Sequence, residues 1–231
     1  MDPLPQELID RIIGHLPYQQ LSSSFLVAKR WRRYSQQRCL DFITFSENRM
    51  VQWDANIPKD PDGIPSYVRH IQIRNISSWN NPAIFERVLK TFSSAETLTM
   101  AGANIPPLGE VPGSVSFGEF GKALTSLTLL SQSCTLATIM SFILSLSNLE
   151  ELLIEHEVGT VSEEVLSTVT VPDPSYREPL RWLLLEGVPN SLGTALAPYR
   201  FTCSSLGIDV YTHGVGQLIA LSSETLVKLS L

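Results

Sequence analysis

From residue 68 onward one short pattern keeps returning: apolar, two residues, apolar, one residue, apolar. It reads Val68-x-x-Ile71-x-Ile73, Ala95-x-x-Leu98-x-Met100, Leu124-x-x-Leu127-x-Leu129, Leu149-x-x-Leu152-x-Ile154 and Leu180-x-x-Leu183-x-Leu185. Two weaker copies follow, Ser205-x-x-Ile208-x-Val210 and Leu226-x-x-Leu229-x-Leu231. The middle positions fall at 71, 98, 127, 152, 183, 208 and 229, in steps of 27, 29, 25, 31, 25 and 21 residues. Alternation within each copy points to a strand with one buried face. One such unit cannot bury that face alone, whereas stacked neighbours can.

Helical patterns fill the gaps. Residues 83–92 place Ile84, Phe85, Val88, Leu89 and Phe92 on one face. Residues 136–146 offer Ile139, Met140, Phe142, Ile143 and Leu146, and residues 215–221 offer Leu218, Ile219 and Leu221. Thr160-x-x-Glu163 reads as a capping box before Val165 and Leu166. Strand, turn, helix and turn, repeated, make a solenoid with a parallel sheet, an α/β fold. The rhythm resembles irregular leucine-rich repeats, close to their range of about 20–29 residues. The Asn usual in that repeat's turn is mostly missing, with Asn75 and Asn104 the nearest to it. Two stretches, 104–121 rich in Pro and Gly and 171–179 rich in Pro, read as loops. Residues 53–65 read as a linker of turns, with Trp53 packed on the first layer as a cap.

The first 45 residues follow a different pattern. Leu4-Pro5-x-Glu7-Leu8 opens a helix whose apolar positions Ile9, Ile12, Ile13 and Leu16 share a face. Pro5 suits the first turn, and Gly14 and Pro17 mark the exit. Leu21, Phe25, Leu26 and Val27 then lead into the basic run Lys29-Arg30-Trp31-Arg32-Arg33. The stretch closes on Cys39, Leu40, Phe42, Ile43 and Phe45. Three short helices of this size cannot bury so many large apolar residues internally. Leu4-Pro5, Glu7-Leu8, Ile12, Leu16, Leu21, Val27, Lys29 and Trp31 resemble the F-box signature, and 25–31 resembles its core in many fungal members. Where that family often carries Asp before the second helix, this chain reads Tyr18-Gln19-Gln20-Leu21, so the helix lacks its usual cap.

The resemblance implies docking to a Skp-family adaptor and, through it, to a cullin-type ubiquitin ligase. Carried over by position, Leu4, Pro5, Leu8, Ile9, Ile12, Leu16, Val27 and Trp31 would face the adaptor or buttress that surface. The alternative is that these residues pack only on their own chain. The domain organisation is an F-box over 1–46, a linker or cap over 47–66, and an irregular leucine-rich-repeat-like solenoid with a curved parallel sheet over 67–231.

Composition narrows the function classes. Apolar content of 43% and charge of 17% belong to a folded chain. Residues 1–50 hold seven Lys/Arg and five Asp/Glu, a net +2, and the remainder ten and eighteen, a net −8. An acidic body argues against nucleic acid, which needs a broad basic field. The basic strip suits an acidic adaptor surface. No apolar run approaches the length of a membrane span, and Asp2, Glu7 and Asp10 interrupt any signal-peptide core. Cys39, Cys134 and Cys203 read as three buried thiols of a reducing, cytoplasmic or nuclear compartment. His15, His70, His156 and His213 are scattered, so no metal or cofactor site is read, and no nucleophile or phosphate cradle appears. Asp60-Pro61-Asp62-Gly63 reads as a plain turn. The chain is read as non-catalytic.

Alternation sends the residues between the triplets to the concave face. Early copies present His70, Gln72 and Arg74, then Thr97, Thr99, Ser126 and Thr128. Later ones present Leu153, Trp182, Leu184 and Tyr211, ringed by Glu151, Glu155, Glu186 and Asp209. An apolar patch rimmed by charge is what a protein-binding site looks like. The reading is a target-recognition subunit of a ubiquitin ligase. The alternatives are a scaffold with no ligase role and, for the patch, cover by the 171–179 segment or a neighbouring helix.

Overall fold

The apolar triplets become strands of one sheet. A computed structural model of the chain describes residues 5–17, 20, 31, 35, 38–56, 64–76, 79, 81–106, 117–130, 136–155, 180–187, 196, 202–208 and 216–230. Its eight strands are β1 (Phe42–Phe45), β2 (His70–Ile76), β3 (Thr97–Ala103), β4 (Ser126–Leu130), β5 (Glu151–Glu155), β6 (Trp182–Glu186), β7 (Ser205–Ile208) and β8 (Lys228–Ser230). They form a single sheet in sequence order, and every neighbouring pair is parallel. Parallel neighbours need a long crossover. Among the described residues those crossovers hold helices α2 (Glu47–Ala55), α3 (Pro82–Lys90), α4 (Glu119–Ala123), α5 (Leu136–Leu144) and α6 (Gly216–Leu221). Helix α1 (Gln6–His15) precedes the sheet.

Register explains why the triplet recurs. Ile43, Ile71, Leu98, Leu127, Leu152, Leu183, Leu206 and Leu229 are joined partner to partner across the whole sheet. Together with the third position (Phe45, Ile73, Met100, Leu129, Ile154, Leu185) all of them but Leu229, which is 45% exposed on β8, feed a core that also takes the apolar faces of α3 and α5. The alternate residues stay half-buried or exposed on the other side, here called the open face. Each fully buried aliphatic side chain is worth about 1.5–3 kcal/mol relative to exposure. A one-residue slip would turn the row outward, so the register is strongly specified.

Four expectations need correction. The first layer starts earlier than residue 67: β1 pairs with β2, and Leu40-x-x-Ile43-x-Phe45 is the same triplet. Residues 47–55 are helix, so the turns expected from residue 53 do not begin there and Trp53 sits on α2. It still closes that layer, stacked on Phe92 at 5.2 Å and edge-on to Phe45 at 5.7 Å, with its indole N–H donating to Thr91 Oγ1. The copy read as Ser205-x-x-Ile208-x-Val210 is also shifted by two residues. Leu183 faces Leu206, so the triplet is Cys203-x-x-Leu206-x-Ile208, all three buried. A buried thiol behaves as a small apolar side chain, which is why it fills the first position unnoticed. Lastly, the Pro/Gly-rich 104–121 stretch is not all loop. Phe117 and Phe120 are fully buried, and α4 begins at Glu119.

The turn after the strand has its own rule. Asn75, Gly102 and Gly187 all have positive φ (56°, 57° and 60°) and stand four residues after the middle apolar position. This left-handed turn admits Gly or Asn with least strain. Asn104 does not share that position, so it is Asn75 alone that matches the turn. Before the strands a second device repeats. The carbonyls of Asp41, Arg69, Glu96, Thr125, Glu150 and Ser204 each accept two successive N–H groups from the next turn. That pairing satisfies backbone groups at the point where the ladder begins.

Aromatic rings join the layers. Phe85 lies 5.2 Å from Trp79, 5.7 Å from Phe142 and 6.1 Å from Phe117 between centroids. Trp79 in turn donates its indole N–H to the Asn104 carbonyl at 2.6 Å. Outside the core, Arg87 on α3 grips Asp54 on α2 through two bonds of 2.9 and 2.6 Å. These hydrogen bonds hold the Asp54 carboxyl below its ordinary range. Of the thiols, Cys203 is buried, Cys39 is only half-buried, and Cys134 lies outside the described residues, as do Thr160 and the 171–179 segment.

Candidate functional site

Two surfaces carry the residues singled out from the sequence. The first is α1. Pro5 stands at the N-cap with extended backbone, one step before the first turn, and its carbonyl accepts the N–H groups of Leu8 and Ile9. The helix ends at His15, where Leu16 turns extended and Pro17 bars continuation. Ile9 and Ile13 are each 2% exposed and form a small core of their own with Leu16, Trp31 and Cys39. The Arg38 guanidinium donates to the Ile13 carbonyl and so ties the helix end to the chain before β1. One residue round the helix, about 100° away, Leu8 and Ile12 remain 43% and 40% exposed. Pro5 is exposed as well. With spacing of three and then four residues, Pro5, Leu8 and Ile12 line one strip.

The eight expected adaptor-facing residues therefore divide. Pro5, Leu8 and Ile12 face outward, while Ile9, Leu16 and Trp31 hold the helix to its own chain. Leu4 and Val27 lie outside the described residues.

The second surface is the open face of the sheet, where side chains fall into rows across the strands. On β5 and β6, Glu151 faces Trp182, Leu153 faces Leu184, and Glu155 faces Glu186. Six of the eight expected residues thus lie together in three adjacent rows. Trp182 is 37% exposed, and Leu153 and Leu184 are half-buried. Like charges directly opposite, such as Glu155 and Glu186, oppose sheet formation, so this pair is not explained by stability. Asp209 and Tyr211 lie outside the described residues, and the shifted register of β7 puts Gly207 beside Leu184 instead. A Cβ at Gly207 would fall 2.6 Å from Cδ1 of Leu184, so the bare backbone there gives the leucine its room.

Sequence reasoning missed the start of this face. Phe42 (49% exposed) and Thr44 stand in the rows of His70 and Gln72. The triplet ending at Phe45 was the signal that places them. His70 lies within 3.7 Å of Asp41 there. Behind β1 a groove of about 440 Å³ is lined by Ile43, Thr44, Phe45, Arg49, Gln52, Trp53 and Asn56, all from the first layer.

No three His, Cys, Asp or Glu side chains gather as a metal ion requires among the described residues, and no described helix is long and apolar enough to cross a membrane. No protein-family model matches the chain, and no curated protein matches it.

Proposed function

We propose that the chain is the target-recognition subunit of a Skp–cullin–F-box ubiquitin ligase, working in the cytoplasm or nucleus. An F-box at its N-terminus docks to the Skp-family adaptor, and an irregular leucine-rich-repeat solenoid presents the target. Ligation chemistry belongs to the other subunits. The observation that carries this reading is the split of α1. Ile9 and Ile13 close a small core, while Leu8 and Ile12 stay exposed beside them. Exposed aliphatic side chains on a short, rigid helix are what an interface anchor requires, since a few buried apolar residues dominate binding energy. The open face of an all-parallel sheet supplies the second surface.

Co-expression with a Skp-family adaptor tests the proposal. Stable co-purification is expected, and Leu8→Asp with Ile12→Asp abolishes it without lowering the melting temperature. Trp31 is a poor choice for this control because it packs on Ile9 and Ile13. A well-folded chain that never co-purifies sinks the ligase reading and leaves a scaffold that binds proteins through the sheet alone.

A further inference from the structure

The open face is graded in charge along a line that crosses the strands. Arg74, Ala101, Leu130, Glu155 and Glu186 are successive register partners from β2 to β6. The line runs from a cation, over a small and then an aliphatic side chain, to two carboxylates. The row beside it ends on Leu153 and Leu184, and the next on Glu151 and Trp182. Between the two ends the floor is low and hydroxyl-bearing: Thr97 faces Ser126, and Thr99 faces Thr128.

From these rows we infer the chemistry of the target: an extended polypeptide segment lying across the strands, with two Lys or Arg next to an aromatic or large aliphatic residue, and an acidic residue four to six positions away. The inference rests on the reading that the open face receives the target. Its spacing follows from geometry. Neighbouring strands lie about 4.8 Å apart, so Arg74 is three spacings, about 14 Å, from Glu155 and four, about 19 Å, from Glu186. An extended chain advances about 3.3 Å per residue, which covers that span in four to six residues. The basic residues meet Glu155 and Glu186. The large apolar one rests on Trp182, Leu184 and Leu153, where aromatic contact area is gained at little entropic cost. The acidic residue meets Arg74. Ala101 and the hydroxyl side chains leave room for the backbone between. A nucleic acid is the wrong occupant, because its phosphates would meet Glu151, Glu155 and Glu186.

The test uses the whole chain as bait for a phage library of random twelve-residue peptides. Selected peptides are expected to share the pattern of two basic residues beside an aromatic, with an acid four to six residues away. Two variants follow, checked for unchanged melting: Glu155→Lys with Glu186→Lys, and Arg74→Glu. The double variant weakens a selected peptide about tenfold, the scale for two exposed charge pairs reversed at moderate salt. Arg74→Glu weakens it a few-fold, and replacing the peptide's acid by Lys restores binding to that variant. This swap is the decisive arm, since a merely destabilised face would not recover. No enrichment, enrichment without the pattern, or failure of the swap overturns the inference. Adaptor co-purification in the same preparations keeps the two questions apart. If the adaptor binds and no such peptides emerge, only this inference falls. If such peptides bind and the adaptor does not, the face stands and the ligase reading falls.

Discussion

Helices α1 and α3 carry the same apolar spacing and use it in opposite ways. In α3 the quartet is Ile84, Phe85, Val88 and Leu89, and in α1 it is Leu8, Ile9, Ile12 and Ile13. All four are buried in α3, at 7% exposure or less. In α1 only Ile9 and Ile13 are buried. A quartet at i, i+1, i+4 and i+5 covers a stripe more than 100° wide, enough for two packing partners. Helix α3 finds both, in the sheet beneath it and the aromatic rings beside it. Helix α1 finds one. The pattern alone therefore states how much surface a helix must cover, not whether its own chain covers it.

The largest effect should come from the fully covered helix. Phe85→Ala removes the ring that joins Trp79, Phe117 and Phe142. The cost is about 3–5 kcal/mol, a large fraction of a domain's total stability. Urea unfolding at neutral pH would read it as a fall in midpoint at unchanged slope. A loss below about 1 kcal/mol would mean that these rings do not hold the layers together.

Paired substitutions in α1 give the second largest effect and bear directly on the comparison. Ile9→Ala empties part of a small core and should cost about 2 kcal/mol, the low end for buried aliphatics. Ile12→Ala, one turn along on the exposed strip, should stay within about 0.5 kcal/mol. Equal costs at the two positions would show that Ile12 is covered by its own chain, and the adaptor strip would then have no basis.

Much of the body was legible for a physical reason. A parallel sheet covered by helices on one face imposes the same two-residue alternation on every strand, so Ile71, Leu98, Leu127, Leu152 and Leu183 recur in the same place in each copy. Where the side-chain chemistry changed while the geometry did not, the register was lost. Cys203 fills a first position that reads as apolar only once it is buried, so the pattern alone points to Ser205 instead. Phe45 was lost to a neighbouring pattern, because the triplet ending there also completes the apolar N-terminal stretch. The turn eluded consensus because its requirement is a backbone angle, which Gly102 and Gly187 meet as well as Asn75 does. On the site, alternation correctly gathered Glu151, Leu153, Glu155, Trp182, Leu184 and Glu186. Which half of the α1 quartet faces outward depends on Trp31, Cys39 and Arg38, contacts between distant positions that no local period encodes.

The smallest effect asks on which side of the comparison the first layer falls. β1 and α2 lie between α1 and the body in sequence, and Asp54 on α2 is bonded to Arg87 on α3. Hydrogen bonding to Arg87 lowers the Asp54 pKa on folding, so the unfolded chain binds the proton more readily. The contribution is therefore fully present above about pH 4, the unfolded range, and is lost as pH falls through the lower folded value. Arg87 does not titrate in that window, since its own pKa is raised from an already high value. Stability of the native chain should fall more steeply below about pH 4 than that of Asp54→Asn, which keeps the shape and lacks the titration. The difference should shrink in salt, because Arg87 is half exposed and its charge is screened. If β1 and α2 melt with the body, the two acid limbs diverge in the main unfolding transition. Parallel limbs there would place this layer with α1 instead, as a unit that loosens before the sheet does.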